Sequence, residues 1–226
     1  MNKVVLADDR LFMAVVGPSA SGKTRLIFDM LLNNTFEPAF SKIYYFYKEY
    51  QAIFDKFTGK LPIEYVNCLN FDLINSLQDC LLIFDDTCEE VYESKDFLKL
   101  ATSGRHKRVS VIVVKHNLFL QSKLSRTIDL NTSHLVLFKS PRDVQQVETL
   151  GRQLNMAKFL KEAFSRATRE AYGHLMVDLA PTTSDGLRYC SNVIGPLPST
   201  FYLPTAKAVV TPLTNQREVF AYSKRV

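Results

Sequence analysis

The stretch GPSASGKT at residues 17–24 follows the apolar run LFMAVV and precedes the helix-like segment KTRLIFDMLLN. It matches the phosphate-loop pattern G-x-x-x-x-G-K-[ST] at every fixed position, namely Gly17, Gly22, Lys23 and Thr24. A strand before the loop and a helix after it are the context in which this pattern binds nucleotide phosphates. The flanking segments therefore favour a nucleotide-binding loop over a chance match.

The residue types in this loop suit a triphosphate. Glycines allow backbone N–H groups to curl around the β-phosphate, and the following helix adds its positive dipole end. Lys23 would place a charge near the β- and γ-phosphates, and the Thr24 hydroxyl would be a ligand of Mg²⁺. We therefore predict ATP and Mg²⁺ as the bound groups, with the whole loop in contact: Gly17, Pro18, Ser19, Ala20, Ser21, Gly22, Lys23 and Thr24.

Short apolar runs alternate with helix-like segments along most of the chain. Strands are predicted at residues 11–16, 42–47, 63–66, 81–84, 109–114, 134–138 and 174–179. Helices are predicted at residues 23–33, 49–57, 71–79, 94–103, 121–129, 141–153 and 155–170. Several strand runs are apolar throughout, as expected when helices cover both faces of a sheet. The alternation predicts an α/β fold with a mainly parallel sheet.

A pair of acidic residues ends the apolar run LLIFDD at residues 81–86. A buried strand that ends in a carboxylate delivers it to the sheet edge where the phosphate loop also lies. We expect Asp85 to hold Mg²⁺, mostly through water, and Asp86 to orient or deprotonate the attacking water. A simple turn or helix cap is the alternative for such a pair. A second acid favours hydrolysis over phosphate transfer to a small acceptor.

The segment SGRHKRVSVIVVKHNLF contains a basic turn, an apolar strand and a polar strand end. His116 and Asn117, at the end of that strand, are candidates to hydrogen-bond the γ-phosphate and so to sense hydrolysis. The basic turn before the strand carries Arg105, Lys107 and Arg108. A solvated basic surface and a local hydrogen-bonded turn are the alternatives. The same ambiguity holds for Lys123, Arg126, Lys139 and Arg142.

Composition narrows the class of protein without identifying it. The chain has 226 residues and a net charge of +5, which permits a polyanionic partner. No apolar run approaches the roughly 20 residues that span a bilayer, and the acidic N-terminal stretch argues against a secretory signal. The cysteines lack zinc-ligand spacing. Because residues 195–226 are proline-rich and without helical period, we expect an ATPase domain over residues 1–194 and an extension or docking arm over 195–226.

Taken together, GPSASGKT, LLIFDD, SGRHKRVSVIVVKHNLF and HLVLFKSPRDVQQVETLGRQL resemble the viral genome-packaging ATPases of the FtsK–HerA superfamily. The likeness is greatest to the poxvirus-type packaging ATPase and its virophage and Maverick/Polinton relatives, and it covers roughly residues 11–190. The resemblance implies a RecA-like P-loop core in a homo-oligomeric ring, a pentamer or a hexamer. Such rings pump double-stranded DNA into a preformed capsid.

The resemblance also implies roles for single residues. Lys23 and Thr24 match the phosphate-loop residues, and Asp85 matches the magnesium aspartate. Asp86 stands where relatives often have glutamate, which keeps a carboxylate but shortens its reach. His116 stands where many relatives have glutamine as the sensor, and Asn117 remains the alternative. Arg105 is the candidate for the arginine that reaches a neighbour's ATP.

These observations lead to the expectation of an ATP-driven, Mg²⁺-dependent translocase of double-stranded DNA. Its expected partners are the DNA backbone and a capsid vertex or portal protein. Its expected location is the host cytoplasm or nucleus where virions assemble, or the virion itself. A nucleoside or nucleotide kinase and a non-motor, ATP-gated interaction protein are the alternatives.

Overall fold

The computed structural model describes residues 2–6, 10–142, 144–204 and 212–213. Its strands are β1 (Asn2–Lys3), β2 (Phe12–Val16), β3 (Ile43–Phe46), β4 (Ile63–Val66), β5 (Cys80–Phe84), β6 (Val109–Lys115), β7 (His134–Phe138), β8 (His174–Asp178), β9 (Tyr189–Ser191), β10 (Ile194–Gly195), β11 (Thr200–Tyr202) and β12 (Pro212–Leu213). Every strand predicted from the apolar runs is present.

Helices connect most of these strands. They are α1 (Lys23–Leu32), α2 (Phe71–Ser76), α3 (Cys88–Glu93), α4 (Lys95–Ser103), α5 (Ser125–Asp129), α6 (Val144–Gln153) and α7 (Ala157–Ala167). Two short 3-10 helices lie at Phe54–Lys56 and Gly104–Lys107. Within the described ranges, no helix combines the length and apolar character needed to cross a membrane.

A ten-stranded sheet organises the chain in the order β12-β11-β9-β8-β7-β2-β6-β5-β3-β4. The strands from β7 to β4 in this order run parallel to one another. The strands from β8 to β12 extend the sheet in antiparallel fashion. The prediction of an α/β fold with a mainly parallel sheet is therefore confirmed.

Helices cover both faces of the parallel strands, which is why those strands are apolar throughout. On one face, Met13 and Val15 of β2 pack in a core with apolar residues of α1. On the other face, Phe12 packs with α3, α4 and α5, while Ala14 and Val16 pack with α6 and α7. Alternate residues of one strand thus enter opposite cores, as the two-residue period of a strand requires.

Strand β6 lies between β2 and β5 and pairs with both. The carboxyl ends of these parallel strands consequently meet at one edge of the sheet. That edge carries the phosphate loop after β2, the acidic pair after β5 and His116 after β6. The polar end of β6 therefore lies between the phosphate loop and the acidic pair.

The helix predicted at residues 49–57 is wrong. Only the 3-10 helix Phe54–Lys56 forms there. The ring of the fully buried Phe54 packs against tyrosine rings of this segment and its neighbouring strands: Tyr45, Tyr47, Tyr50 and Tyr65. Packing of these large rings outweighs the local helix propensity, which contributes well under 1 kcal/mol per residue.

Other helix boundaries also differ from the predictions. The predicted helices at residues 71–79 and 121–129 shorten to α2 and α5, because the backbone is extended at Leu77 and a turn occupies residues 123–124. Helix α3 was not predicted, since its six residues are too short to display a clear apolar period. The remaining predicted helices match α1, α4, α6 and α7 to within a few residues.

The first part of the segment after residue 194 lies on the sheet of its own chain. Strand β11 pairs with β9, and Phe201 and Tyr202 are buried. The Tyr202 hydroxyl lies 2.9 Å from Ser191 Oγ. Residues 205–211 and 214–226 lie outside the described residues, so a docking role for this extension stays a prediction.

Candidate nucleotide-binding site

The phosphate loop leaves the end of β2 under tight backbone constraint. Gly17 N donates a hydrogen bond to the Lys115 carbonyl oxygen at 3.0 Å, which fixes the loop to the neighbouring strand β6. A side chain on Gly17 would place its Cβ 2.6 Å from Phe138 Cβ, and Gly22 has a φ of 100°. Only glycine meets the first requirement without displacement and the second without strain. The two pattern glycines are thus explained by the structure.

Lys23, the first residue of α1, is 7% exposed, and its ammonium group turns into the loop. Its Nζ donates to the carbonyl oxygens of Gly17 and Pro18, both at 2.9 Å. Burial lowers the pKa of Lys23, while the negative charges of Asp85 and Asp86 oppose that shift. Lys23 is therefore a positive charge held in the loop by neutral acceptors.

Asp85 lies directly after β5 and is 2% exposed. Its Oδ2 accepts hydrogen bonds from Thr24 Oγ1 at 3.1 Å, from the Tyr45 hydroxyl at 2.5 Å and from Gln51 Nε2 at 3.3 Å. Burial raises the pKa of Asp85, and the hydrogen bond from Tyr45 opposes that shift. The structure thus joins the two predicted magnesium ligands, Thr24 and Asp85, by a direct hydrogen bond.

Asp86 is exposed, unlike the neighbouring Asp85. Its φ of 57° lies in the left-handed region, which turns its side chain toward solvent. His116 Nε2 lies 3.5 Å from Asp86 Oδ1, and both side chains are exposed. Left-handed backbone at a non-glycine residue costs about 1–3 kcal/mol and is concentrated at functional sites. The two residues predicted to handle water and sense phosphate therefore lie side by side.

Lys115 ends β6 beside this site but is engaged by its own chain. It is 1% exposed, and its Nζ donates to Asp129 Oδ1 at 2.9 Å and to the Leu118 carbonyl oxygen at 2.8 Å. The same ammonium group lies 4.6 Å from the centre of the Tyr92 ring. These contacts secure the end of β6 and the turn that presents His116.

The remaining candidates lie apart from this group. Asn117 is exposed next to His116. Arg105 belongs to the 3-10 helix before β6, at the opposite edge of the sheet, and only its backbone is described. In that same turn, Lys107 Nζ donates to the Asn75 carbonyl oxygen and Arg108 forms an ion pair with Asp79. Lys107 and Arg108 thus have partners within their own chain.

Tyr45 and Gln51 are site residues that the sequence pattern did not identify. Tyr45 lies inside an apolar strand run and Gln51 in a segment predicted to be helical. The one available signal was a tyrosine in a buried strand, because a buried hydroxyl normally finds a hydrogen-bond partner. That signal does not reveal which partner the hydroxyl contacts.

The donor set fits a magnesium–triphosphate group. Mg²⁺ binds oxygen ligands and is usually held by one or two protein groups together with substrate phosphates and water. Thr24 and Asp85 supply a hydroxyl and a carboxylate, and the described residues hold no cluster of His, Cys, Asp and Glu that would make a closed protein cage. Ser21 Oγ, inside the loop, is buried and has no hydrogen-bond partner among the described residues.

In sequence, the chain matches no family model and no curated protein. In structure, it is similar to the genome packaging NTPase B204 from Sulfolobus turreted icosahedral virus 2 in complex with AMP. That match has a TM-score of 0.54 and 14% identity, and it covers 78% of this chain and 96% of the other.

A second structural match is B204, the DNA-packaging ATPase from Sulfolobus turreted icosahedral virus. Its TM-score is 0.54, its identity is 12%, and the match covers 81% of this chain and 96% of that one. The chain therefore has the α/β fold of these P-loop packaging ATPases, which supports, at the level of the fold, the resemblance drawn from its sequence.

Proposed function

We propose that this chain hydrolyses ATP and uses the free energy to move double-stranded DNA into a viral or virus-like capsid. The observation that carries the proposal is the convergence of the phosphate loop, the acidic pair and His116 on one edge of a sheet with the fold of packaging ATPases. The neighbours with that fold are themselves described as genome-packaging enzymes.

The phosphate loop would bind the β- and γ-phosphates. Lys23 Nζ now donates to two neutral carbonyl oxygens. Phosphate oxygens are stronger acceptors, because charge-assisted hydrogen bonds are roughly twice as strong as neutral ones. Lys23 therefore exchanges its carbonyl partners for phosphate when ATP binds, and Ser21 Oγ supplies a further donor inside the loop.

Thr24 and Asp85 would hold Mg²⁺, which neutralises charge on the phosphates when bound. Asp86, exposed beside the loop, orients the attacking water and accepts its proton. His116, 3.5 Å from Asp86, hydrogen-bonds the water or the γ-phosphate. Asn117 would take that role if His116 does not. The exposed, turned-out carboxylate of Asp86 favours this assignment over transfer to a small acceptor.

Contact with DNA would use exposed cations and the phosphate backbone. Lys139 and Arg142 follow β7 at the same sheet edge as the phosphate loop, and both are exposed. A translocase must hold DNA without stopping at any sequence, so its contacts should be to phosphates and sensitive to salt. We place the protein in a pentameric or hexameric ring at a capsid vertex or portal, in the host cytoplasm or nucleus or in the virion.

The experiment that tests this proposal measures ATP turnover with and without double-stranded DNA over a salt series. We expect turnover that requires Mg²⁺ and rises with DNA at low salt, with the stimulation lost as salt increases. Lys23→Ala is the control for a contaminating ATPase. Phosphate transfer to a nucleoside would favour the kinase alternative. Slow turnover that DNA does not change would favour the non-motor alternative.

A mixing experiment tests the ring and the role of Arg105. An arginine supplied by a neighbouring subunit contributes about 10³- to 10⁵-fold to such reactions. Arg105→Ala and Lys23→Ala should each be inactive, yet mixed rings contain interfaces that join an intact loop to an intact arginine. Recovered turnover in the mixture supports the assignment. A mixture that stays inactive although mixed rings form excludes Arg105 and turns the search to Arg126 or Arg142.

A further inference from the structure

We propose that Tyr45 and Gln51 are positioning residues that fix the Asp85 carboxylate so that its Oδ1 faces the hydrated magnesium ion. The inference rests on the proposed binding of magnesium–ATP at this site. Tyr45 lies on β3, and Gln51 lies in the turn that follows. Both residues therefore reach Asp85 from β3, the strand that pairs with β5, and from the segment after it.

The hydrogen bonds around Asp85 are strongly unequal between its two oxygens. Tyr45, Thr24 and Gln51 all donate to Oδ2, whereas no described residue donates to Oδ1. A carboxylate oxygen has about two lone pairs, so three donors fill the acceptor capacity of Oδ2. Oδ1 is then the oxygen that remains to accept a hydrogen bond from water bound to magnesium.

The backbone and the surrounding rings hold this arrangement rigidly. Asp85 N donates to the Phe46 carbonyl oxygen at 2.9 Å, directly beside Tyr45. The Tyr45 ring is fully buried, stacks on Phe28 at 5.6 Å and meets Phe54 edge-on at 5.0 Å. Because the ring is packed between these neighbours, its hydroxyl opposes rotation of the carboxylate about its Cβ–Cγ bond.

The hydrogen-bond distances show which of the two residues supports the Asp85 carboxylate more strongly. The Tyr45 hydroxyl is 2.5 Å from Oδ2, and Gln51 Nε2 is 3.3 Å away. A short hydrogen bond between a hydroxyl and a carboxylate is among the stronger kinds in proteins. Tyr45 is therefore the main support of the carboxylate and Gln51 the weaker one.

A purely structural role for Tyr45 is the competing explanation, and Tyr65 supplies its control. The Tyr65 ring belongs to the same aromatic cluster, 5.8 Å from the Tyr45 ring, but its hydroxyl is not among the donors to Asp85. Tyr45→Phe and Tyr65→Phe each remove one hydroxyl and keep the ring. Only the first substitution changes the hydrogen bonds of Asp85.

The test measures the affinity for a fluorescent, non-hydrolysable ATP analogue, once with Mg²⁺ and once with EDTA, so that no turnover is needed. We expect Tyr45→Phe to reduce the magnesium-dependent gain in affinity about 10- to 100-fold, the usual cost of losing a group that orients a metal ligand. Its affinity in EDTA should stay at the wild-type value. Gln51→Met should cause a smaller loss, and Tyr65→Phe should cause none.

Each outcome separates this inference from the proposed function. If wild-type protein binds the analogue with a magnesium-dependent gain and Tyr45→Phe keeps all of it, the positioning role is overturned, even if thermal unfolding shows a loss of stability. An equal loss in Tyr65→Phe also overturns it, because the effect then comes from the aromatic cluster. If wild-type protein binds no nucleotide, the proposed function itself fails.

Discussion

Two lysines at the same sheet edge are both buried, but their surroundings differ. Lys115 has a carboxylate partner, Asp129, and an aromatic ring beneath its ammonium group. Lys23 donates only to two loop carbonyls, and among the described residues no carboxylate lies within ion-pair distance of it. One buried charge is paired with a carboxylate, whereas the other donates its hydrogen bonds to neutral acceptors.

A third basic residue at this edge, His174, is also buried but differs from both lysines. His174 is almost fully buried, and its Nε2 has no hydrogen-bond partner among the described residues. Burial lowers the pKa of His174, which favours the neutral imidazole. The three buried bases thus differ: Lys115 is paired with a carboxylate, Lys23 has only neutral acceptors, and His174 favours its neutral form. Of the three, Lys23 alone is a charged group without a carboxylate within ion-pair distance among the described residues, so the proposed phosphates would be its first anionic partner.

The largest expected effect comes from removing the charge that lacks a carboxylate partner. Lys23→Ala should abolish ATP turnover, because the phosphates lose the charged donor that the loop holds for them. Its free energy of unfolding should change by less than about 1 kcal/mol, since the lost hydrogen bonds to two carbonyls are worth little net of desolvation. Turnover and urea unfolding of one purified sample provide both measurements. Unchanged turnover would remove the basis for a nucleotide site.

The origin of this contrast is only partly visible in the sequence. The pattern around Lys23 is local, because loop, strand and helix are contiguous, and it predicts a phosphate loop. The partner of Lys115 lies fourteen residues away in α5, across a turn that has no periodic pattern. The contacts of Tyr45 and Gln51 with Asp85 depend on the adjacency of β3 and β5. Strand order is a tertiary property, so these contacts could not be derived from local patterns.

Substitutions of the acidic pair, Asp85 and Asp86, should have the next largest effect. They test whether the two carboxylates have different roles beside Lys23. Asp86→Asn should still bind magnesium–ATP but lose about 10²- to 10⁴-fold in turnover, the usual contribution of a general base. Asp85→Asn should instead weaken magnesium-dependent binding, because Asp85 contacts Thr24 and Asp86 does not. Nucleotide affinity and turnover of both variants distinguish the roles. Equal loss of binding in the two variants would contradict the division.

Removing the balanced lysine should affect stability. Lys115→Met leaves the Leu118 carbonyl without its donor and Asp129 with only the Tyr92 hydroxyl among the described residues, and we expect a loss of about 2 kcal/mol in the free energy of unfolding. This expected loss is smaller than the loss from breaking a fully buried ion pair, because Asp129 is partly exposed. Urea unfolding gives the value. Adding Asp129→Asn should restore part of the loss, and a double variant no more stable than Lys115→Met would show that the ion pair is not the cause.

The smallest expected effect concerns the deprotonated base, His174. Because burial lowers its pKa in the folded protein, the unfolded chain binds a proton more readily below its ordinary value of about 6.5. Stability from this group is therefore complete above that pH and is lost as the pH falls below it. One proton gives a slope of at most about 1.4 kcal/mol per pH unit.

We expect His174→Phe to flatten the decline in the free energy of unfolding between neutral and mildly acidic pH, because it removes the titrating imidazole. Phenylalanine keeps an aromatic ring against Phe138, whose ring centre is 5.2 Å from that of His174. The same substitution at exposed His106 is the matched control for the loss of an imidazole. Identical pH profiles for wild type and His174→Phe would mean that His174 has the same pKa in the folded and the unfolded protein. The comparison of the three buried bases would then fail at this residue.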